Sequence, residues 1–270
     1  MKTLKLEEFY LKEEPFYIPQ ENELQLFELA YHQQIPVMLK GPTGCGKTRF
    51  LEHMAFRLNR PLITIACHED LTTGDLVGRF LLKGEDTVWV DGPLTRAVRH
   101  GAICYLDEVV EARKDTVVAI HPLTDDRRIL PLEKMGEVIK ADENFMLVCS
   151  YNPGYQTILK DLKQSTKQRF ISMEFGFPEA DIEKKILIKE SGVKEQIAEK
   201  IIQIGSQFRN LKNKGLEEGV STRLMIYAGK LIGSGVSLKE AVRTAMIYPI
   251  TDDAYMHKGL GELVDAAVEE

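Results

Sequence analysis

Residues Val37–Phe50 read VMLKGPTGCGKTRF. A short apolar run feeds a glycine-rich loop, and the loop feeds the start of a helix. Gly41, Gly46, Lys47 and Thr48 fit G-x-x-x-x-G-K-[ST]. Each residue type at that spacing has a chemical reason. Glycines let the backbone fold tightly enough for its N–H groups to face phosphate oxygens, and the following helix adds the positive end of its dipole. Lys47 is expected to reach the β- and γ-phosphates, and the Thr48 hydroxyl to ligate Mg²⁺. Pro42, Thr43, Gly44 and Cys45 complete the loop, so Gly41–Thr48 is the expected ATP-binding segment. Cys45 reads as a small side chain tolerated in a tight turn rather than as a reactive thiol.

Working outward, the apolar runs Ile35–Lys40, Pro61–Cys67, Ala102–Glu108 and Phe145–Asn152 are short and nearly uniform, as buried parallel strands should be. Between the first two, Phe50, Leu51, Met54, Ala55 and Leu58 recur at helical spacing. Strand, helix and strand make a βαβ unit. The expected fold class is therefore α/β, a phosphate-loop domain with a central parallel sheet flanked by helices. After Phe175–Pro178 the period changes. Ile182, Ile186, Leu187, Ile197, Ile201, Ile202 and Ile204 follow a helical repeat punctuated by Gly192, Gly215 and Gly219, and Ser221 and Ser237 are placed to cap helices. The expected division is residues 1–178 as the α/β core and 179–270 as a small all-helical lid.

Asp107 and Glu108 end an apolar strand. Two acids delivered to the C-terminal rim of a buried sheet are costly unless they serve a site. Asp107 is expected near the Mg²⁺ held by Thr48, and Glu108, facing elsewhere, is expected to activate a water for in-line attack. Asn152 ends the next strand, where it either holds that water or opens the turn at Pro153. Arg169, in STKQRF, either stabilises a transferring phosphoryl group on a neighbouring subunit or makes a surface salt bridge, the blander of the two. Arg223, in VSTRLMIY, either reaches back to the nucleotide or lies on a helix surface.

Composition excludes several classes. A net charge of −6 gives no support for a global nucleic-acid surface. No apolar run approaches the ~20 residues that span a bilayer, and the first residues lack the apolar core of a secretion signal, so a cytoplasmic protein without membrane insertion is expected. The four cysteines form no C-x-x-C pair, and His68, Glu69 and Asp70, being adjacent, do not converge on a metal.

Taken together, VMLKGPTGCGKTRF, GAICYLDEVVEAR, HPLTDDRRILPL, CSYNPGYQ, LKQSTKQRF, EGVSTRL and PITDD resemble the AAA+ ATPases of the MoxR branch and, more narrowly, the CbbQ/NirQ/NorQ family. The resemblance spans nearly the whole chain. It implies that Gly41–Thr48 is the Walker A loop, Asp107 and Glu108 the Walker B acids, Asn152 sensor 1, Arg169 the arginine finger and Arg223 sensor 2. Lys167 and Arg113 are lesser candidates for a contact with the neighbour. It also implies Mg²⁺-dependent ATP hydrolysis in a homo-oligomeric ring, usually a hexamer, and an adaptor carrying a von Willebrand factor A domain. The implied client is Rubisco in the first instance, with nitric oxide reductase as the alternative. Rival readings are a nucleotide-gated scaffold, a DNA-directed motor and a small-molecule kinase. The stretch Leu71–Leu94 is expected to be a hairpin-like insert, and a second hairpin is expected between Asp125 and Phe145.

Overall fold

The computed structural model describes residues 6–153, 162–212, 216 and 218–269. Gly215 and the GYQ that follows Pro153 lie outside them. The chain forms two compact units, one of Met1–Gly41 and Lys47–Phe175, the other of Pro42–Gly46 and Gly176–Glu270.

The first unit is built on a five-stranded sheet. Its strands are β1 (Val37–Lys40), β2 (Leu62–Ala66), β5 (Ile103–Asp107), β8 (Met146–Tyr151) and β9 (Ile171–Glu174), in the order β2-β5-β8-β1-β9. Every pairing is parallel. Parallel strands need crossovers, and the crossovers put helices over the faces, so the central strands are apolar throughout. All six residues of β8 are buried, whereas β2, at the edge, alternates. The covering helices are α1 (Glu23–His32), α2 (Lys47–Arg57), α3 (Thr73–Val77), α4 (Pro93–His100), α5 (Lys114–Val118) and α6 (Gln164–Lys167). β9, the apolar stretch after Arg169, is not among the runs that read as strands in the sequence. It has four residues and buries only Met173.

Helix α2 is fixed by Phe50. Its fully buried ring meets Phe27 at 5.4 Å, Tyr17 at 5.5 Å and Phe175 at 5.1 Å between centroids. Burying one such ring contributes ~2–3 kcal/mol, and it anchors the helix that begins with Lys47 and Thr48.

Both expected hairpins are present, as β3 (Gly78–Lys83) with β4 (Asp86–Asp91), and β6 (Ile129–Leu132) with β7 (Glu137–Lys140). On the first, Phe80 and Trp89 pack edge to face while Leu82 is 81% exposed.

The second unit carries α7 (Ala180–Ser191), α8 (Glu195–Arg209), α9 (Thr222–Gly233), α10 (Leu238–Val242) and α11 (Ala254–Glu269), with a π-helical turn over Arg243–Ile247. Their apolar stripes close on one core that includes Leu187, Ile201, Ile204, Phe208, Met225 and Met246. Ser221 and Ser237 do cap α9 and α10, accepting from the N–H groups of Leu224 and Glu240. Among the described residues no helix is long and apolar enough to cross a membrane.

Candidate functional site

Strand register brings the rim together. Lys40 lies level with Tyr151, Leu39 with Ser150, and Leu106 with Cys149. The chain leaving β1 therefore enters its glycine loop beside the ends of β8 and β5. Gly41 N donates to the Tyr151 carbonyl at 3.3 Å. A Cβ on Gly41 would overlap the Phe175 carbonyl oxygen, so only glycine fits there. Lys47 Nζ donates back to the Gly41 carbonyl at 2.8 Å, closing the turn on itself. At Gly46, φ is +106° and no atom lies within 4 Å of where a Cβ would stand. This left-handed backbone beside open space is what a phosphate cradle needs.

Asp107 ends β5. Its Oδ1 accepts two hydroxyl bonds, from Tyr105 at 2.6 Å and from Ser150 at 2.6 Å. The Thr48 hydroxyl lies near the same Tyr105 phenol. Burial, followed by the Asp107 charge, pushes the Tyr105 phenol well above its usual range, so it stays a donor. Both bonds reach Asp107 from neutral groups, and hydroxyls do not neutralise a carboxylate. The oxygens of Thr48 and Asp107 are the hard donors that suit Mg²⁺, and the fit is good on chemistry.

Glu108 leaves the strand at once. Its φ of 54° and ψ of 52° are left-handed, a conformation that costs a non-glycine residue ~1–2 kcal/mol. Its N–H donates to Ser150 Oγ at 3.0 Å, so one serine ties both acids to β8. Strain of this kind collects at functional sites, where the surroundings impose it. The next residue along β8 beyond Tyr151 is Asn152, only 7% exposed. Cys67 N donates to the Asp107 carbonyl, and burial together with the charges of Asp107 and Glu108 pushes the Cys67 thiol up to about 12.

Thr48, Asp107, Glu108 and Asn152 thus belong to one sheet rim. Arg169, Lys167 and Arg113 have other partners within the first unit. Arg169 Nη1 reaches the His121 carbonyl at 3.3 Å and Asp125 Oδ2 at 3.2 Å. Lys167 lies 5.9 Å from the centre of the Tyr151 ring. Arg113 pairs with Asp115 at 3.2 Å and lines a cavity of about 400 Å³ with Val109, Val117, His121 and Leu162. Arg223 is an exposed residue in the first turn of α9, in the second unit. Sequence reasoning passed over Tyr105 and Ser150. A signal existed for the tyrosine, since residues two apart on a strand share a face and Tyr105 therefore sides with Asp107. Ser150 needed the register.

A phosphate loop at the C-terminal rim of a five-stranded parallel sheet, with paired acids ending one of its central strands, defines a phosphate-loop nucleoside triphosphatase, and the comparisons place it among AAA+ ATPases. Residues 36–170 match the AAA domain (dynein-related subfamily), and residues 183–267 match the CbbQ/NirQ/NorQ C-terminal domain. The chain is 60% identical to Protein NorQ of Paracoccus denitrificans over 93% of each chain. It is 57% identical to Protein CbbQ of Hydrogenophilus thermoluteolus, covering 91% of this chain and 92% of that one. Among solved structures, a point mutant of RuvB from Thermotoga maritima shares the fold at 18% identity and a TM-score of 0.58, covering 95% of this chain and 74% of that one. The chain belongs to the CbbQ/NirQ/NorQ family of AAA+ ATPases. It binds nucleotide and hydrolyses ATP.

Proposed function

We propose that this ATPase works as a hexameric ring that remodels a client enzyme through an adaptor bearing a von Willebrand factor A domain. The observation that carries the catalytic half is Glu108, turned by a left-handed backbone out of the strand that presents Asp107. In this reading Thr48 and Asp107 hold Mg²⁺, which neutralises charge on the phosphate oxygens when bound. Lys47 releases the Gly41 carbonyl and pairs with phosphate oxygens. Asn152 orients a water, whose oxygen attacks the terminal phosphorus as the bond to the ADP oxygen breaks. Glu108 takes the water's proton. Arg223 reports the nucleotide state to the lid, and the division near residue 178 separates core from lid.

Arg169 completes the site of the adjoining protomer. In support, its partners in its own chain are His121 and Asp125 rather than any residue of the rim. Mixing Arg169→Ala with Glu108→Gln subunits should restore part of the turnover that each variant lacks alone. Recovery at no mixing ratio would count against action in trans.

The client proposed is nitric oxide reductase. Its support is the 60% identity to Protein NorQ, together with the 54% and 52% identities to two denitrification regulatory proteins named NirQ. Rubisco, the sequence's first suggestion, is kept as a second reading by the 57% identity to Protein CbbQ. The deciding experiment adds each client, with its cognate adaptor, to the purified chain and follows steady-state ATPase. The expected result is stimulation by the nitric oxide reductase pair. Stimulation by Rubisco alone transfers the assignment, and stimulation by neither, with basal turnover intact, refutes the client role.

A further inference from the structure

Three helix ends of the second unit meet at one buried carboxylate. Glu183, in the first turn of α7, is 1% exposed. Arg209, the last residue of α8, grips it with both ends of its fork, Nη1 to Oε2 at 2.8 Å and Nη2 to Oε1 at 2.7 Å. Thr222, the first residue of α9, donates its hydroxyl to Oε1 as well. The third arm of the guanidinium, Nε, donates to the Val220 carbonyl at 2.8 Å, and the fork's carbon lies 3.9 Å from the centre of the Phe177 ring.

Such an arrangement is expensive to build if stability alone is wanted, because apolar residues of similar volume do as well or better. What a fully satisfied buried ion pair supplies is a single geometry. Here the geometry it imposes falls on Val220 and Thr222, the two neighbours of Ser221. Ser221 caps α9, and Arg223 is the next residue after Thr222. The same segment lies against the glycine loop residues of this unit. A Cβ placed on Gly44 would stand 2.7 Å from Ser221 Cβ and 3.3 Å from Arg223 Cβ.

We propose that Glu183, Arg209 and Thr222 form a positioning clasp that sets the start of α9, and with it the reach of Arg223, for ATP turnover. The clasp also takes in Phe177, from the segment that leads into α7, so a shift of that segment is felt at the helix start. The proposal rests on the reading of Arg223 as the residue that senses nucleotide.

The test measures kcat, KM for ATP and the thermal midpoint on the full chain. Arg223→Ala reports the underlying reading by itself; kcat and KM both at parental values would remove that reading and leave the clasp with nothing to position. Where Arg223→Ala slows turnover, Thr222→Val tests the clasp, since it keeps the shape and deletes only the hydroxyl that Glu183 accepts. Thr222→Val should lower kcat ~3–10-fold at an almost unchanged midpoint, a separation that a merely structural role does not produce. Thr222→Ser, which keeps the hydroxyl, should restore it. The double variant Thr222→Val/Arg223→Ala should be no slower than Arg223→Ala alone. Unchanged kcat in Thr222→Val, or losses that multiply in the double variant, would overturn the clasp while leaving Arg223 in place. Should Thr222→Val fail to fold, Thr222→Ala also deletes the hydroxyl while placing a good helix former at the first position of α9, and carries the same expectation and the same overturning result.

Discussion

Asp107 and Glu183 are both acids drawn inward by the fold, one at the rim of the sheet and one among the helices, and their surroundings differ in kind. Glu183 is met by a bidentate guanidinium, so its charge is answered within the chain. Asp107 is met by the hydroxyls of Tyr105 and Ser150, which orient it without neutralising it. A carboxylate answered by its own chain fixes structure, while one that is only oriented waits for a cation. The contrast separates a residue that shapes the molecule from one that serves chemistry.

The contrast can be broken by experiment. Asp107→Asn should lower kcat by ~10³-fold or more, because the hard anionic ligand is lost, while the thermal midpoint holds or rises with removal of a charge that no cation among the described residues answers. A midpoint that fell with turnover preserved would reverse the assignment. Glu183→Gln should fall mainly on stability, destabilising the helical unit by ~3 kcal/mol by leaving Arg209 without its counter-charge, with no more than the modest kcat loss expected of the clasp. Chemical denaturation reads that directly, and a neutral result would show the pair to be ornamental.

The smallest effect sharpens the electrostatics at the rim. Burial is the main cause of the high Cys67 pKa, with Asp107 and Glu108 adding to it. The thiol should therefore resist alkylation at pH 8, well below about 12. Replacing Asp107 by Asn removes one of the two charges, so the thiolate becomes easier to form and alkylation should quicken by no more than ~10-fold. An unchanged rate would show that the Asp107 side chain does not act on the thiol.

Legibility in the sequence followed the same division. The sheet could be read because buried parallel strands are apolar throughout, and the loop, Asp107 and Glu108 because their types and spacing have few other uses. β9 could not, since four residues with one buried side chain look like a loop. Ser150 was hidden because a hydroxyl inside an apolar run signals nothing until register sets it level with Asp107. The clasp was hidden by distance along the chain, Glu183 standing 26 residues from Arg209 and 39 from Thr222. What can be read locally is the chemistry of single elements; what cannot is the meeting of their ends.

The central claim is that Glu108 is the base at a rim where Asp107 and Thr48 hold the metal. Glu108→Gln keeps the size of the side chain and removes its basicity. Measured side by side, equilibrium binding of ATP should be retained while steady-state turnover falls by at least ~10²-fold, the contribution expected of a general base. Turnover at the parental rate with binding intact would contradict the account.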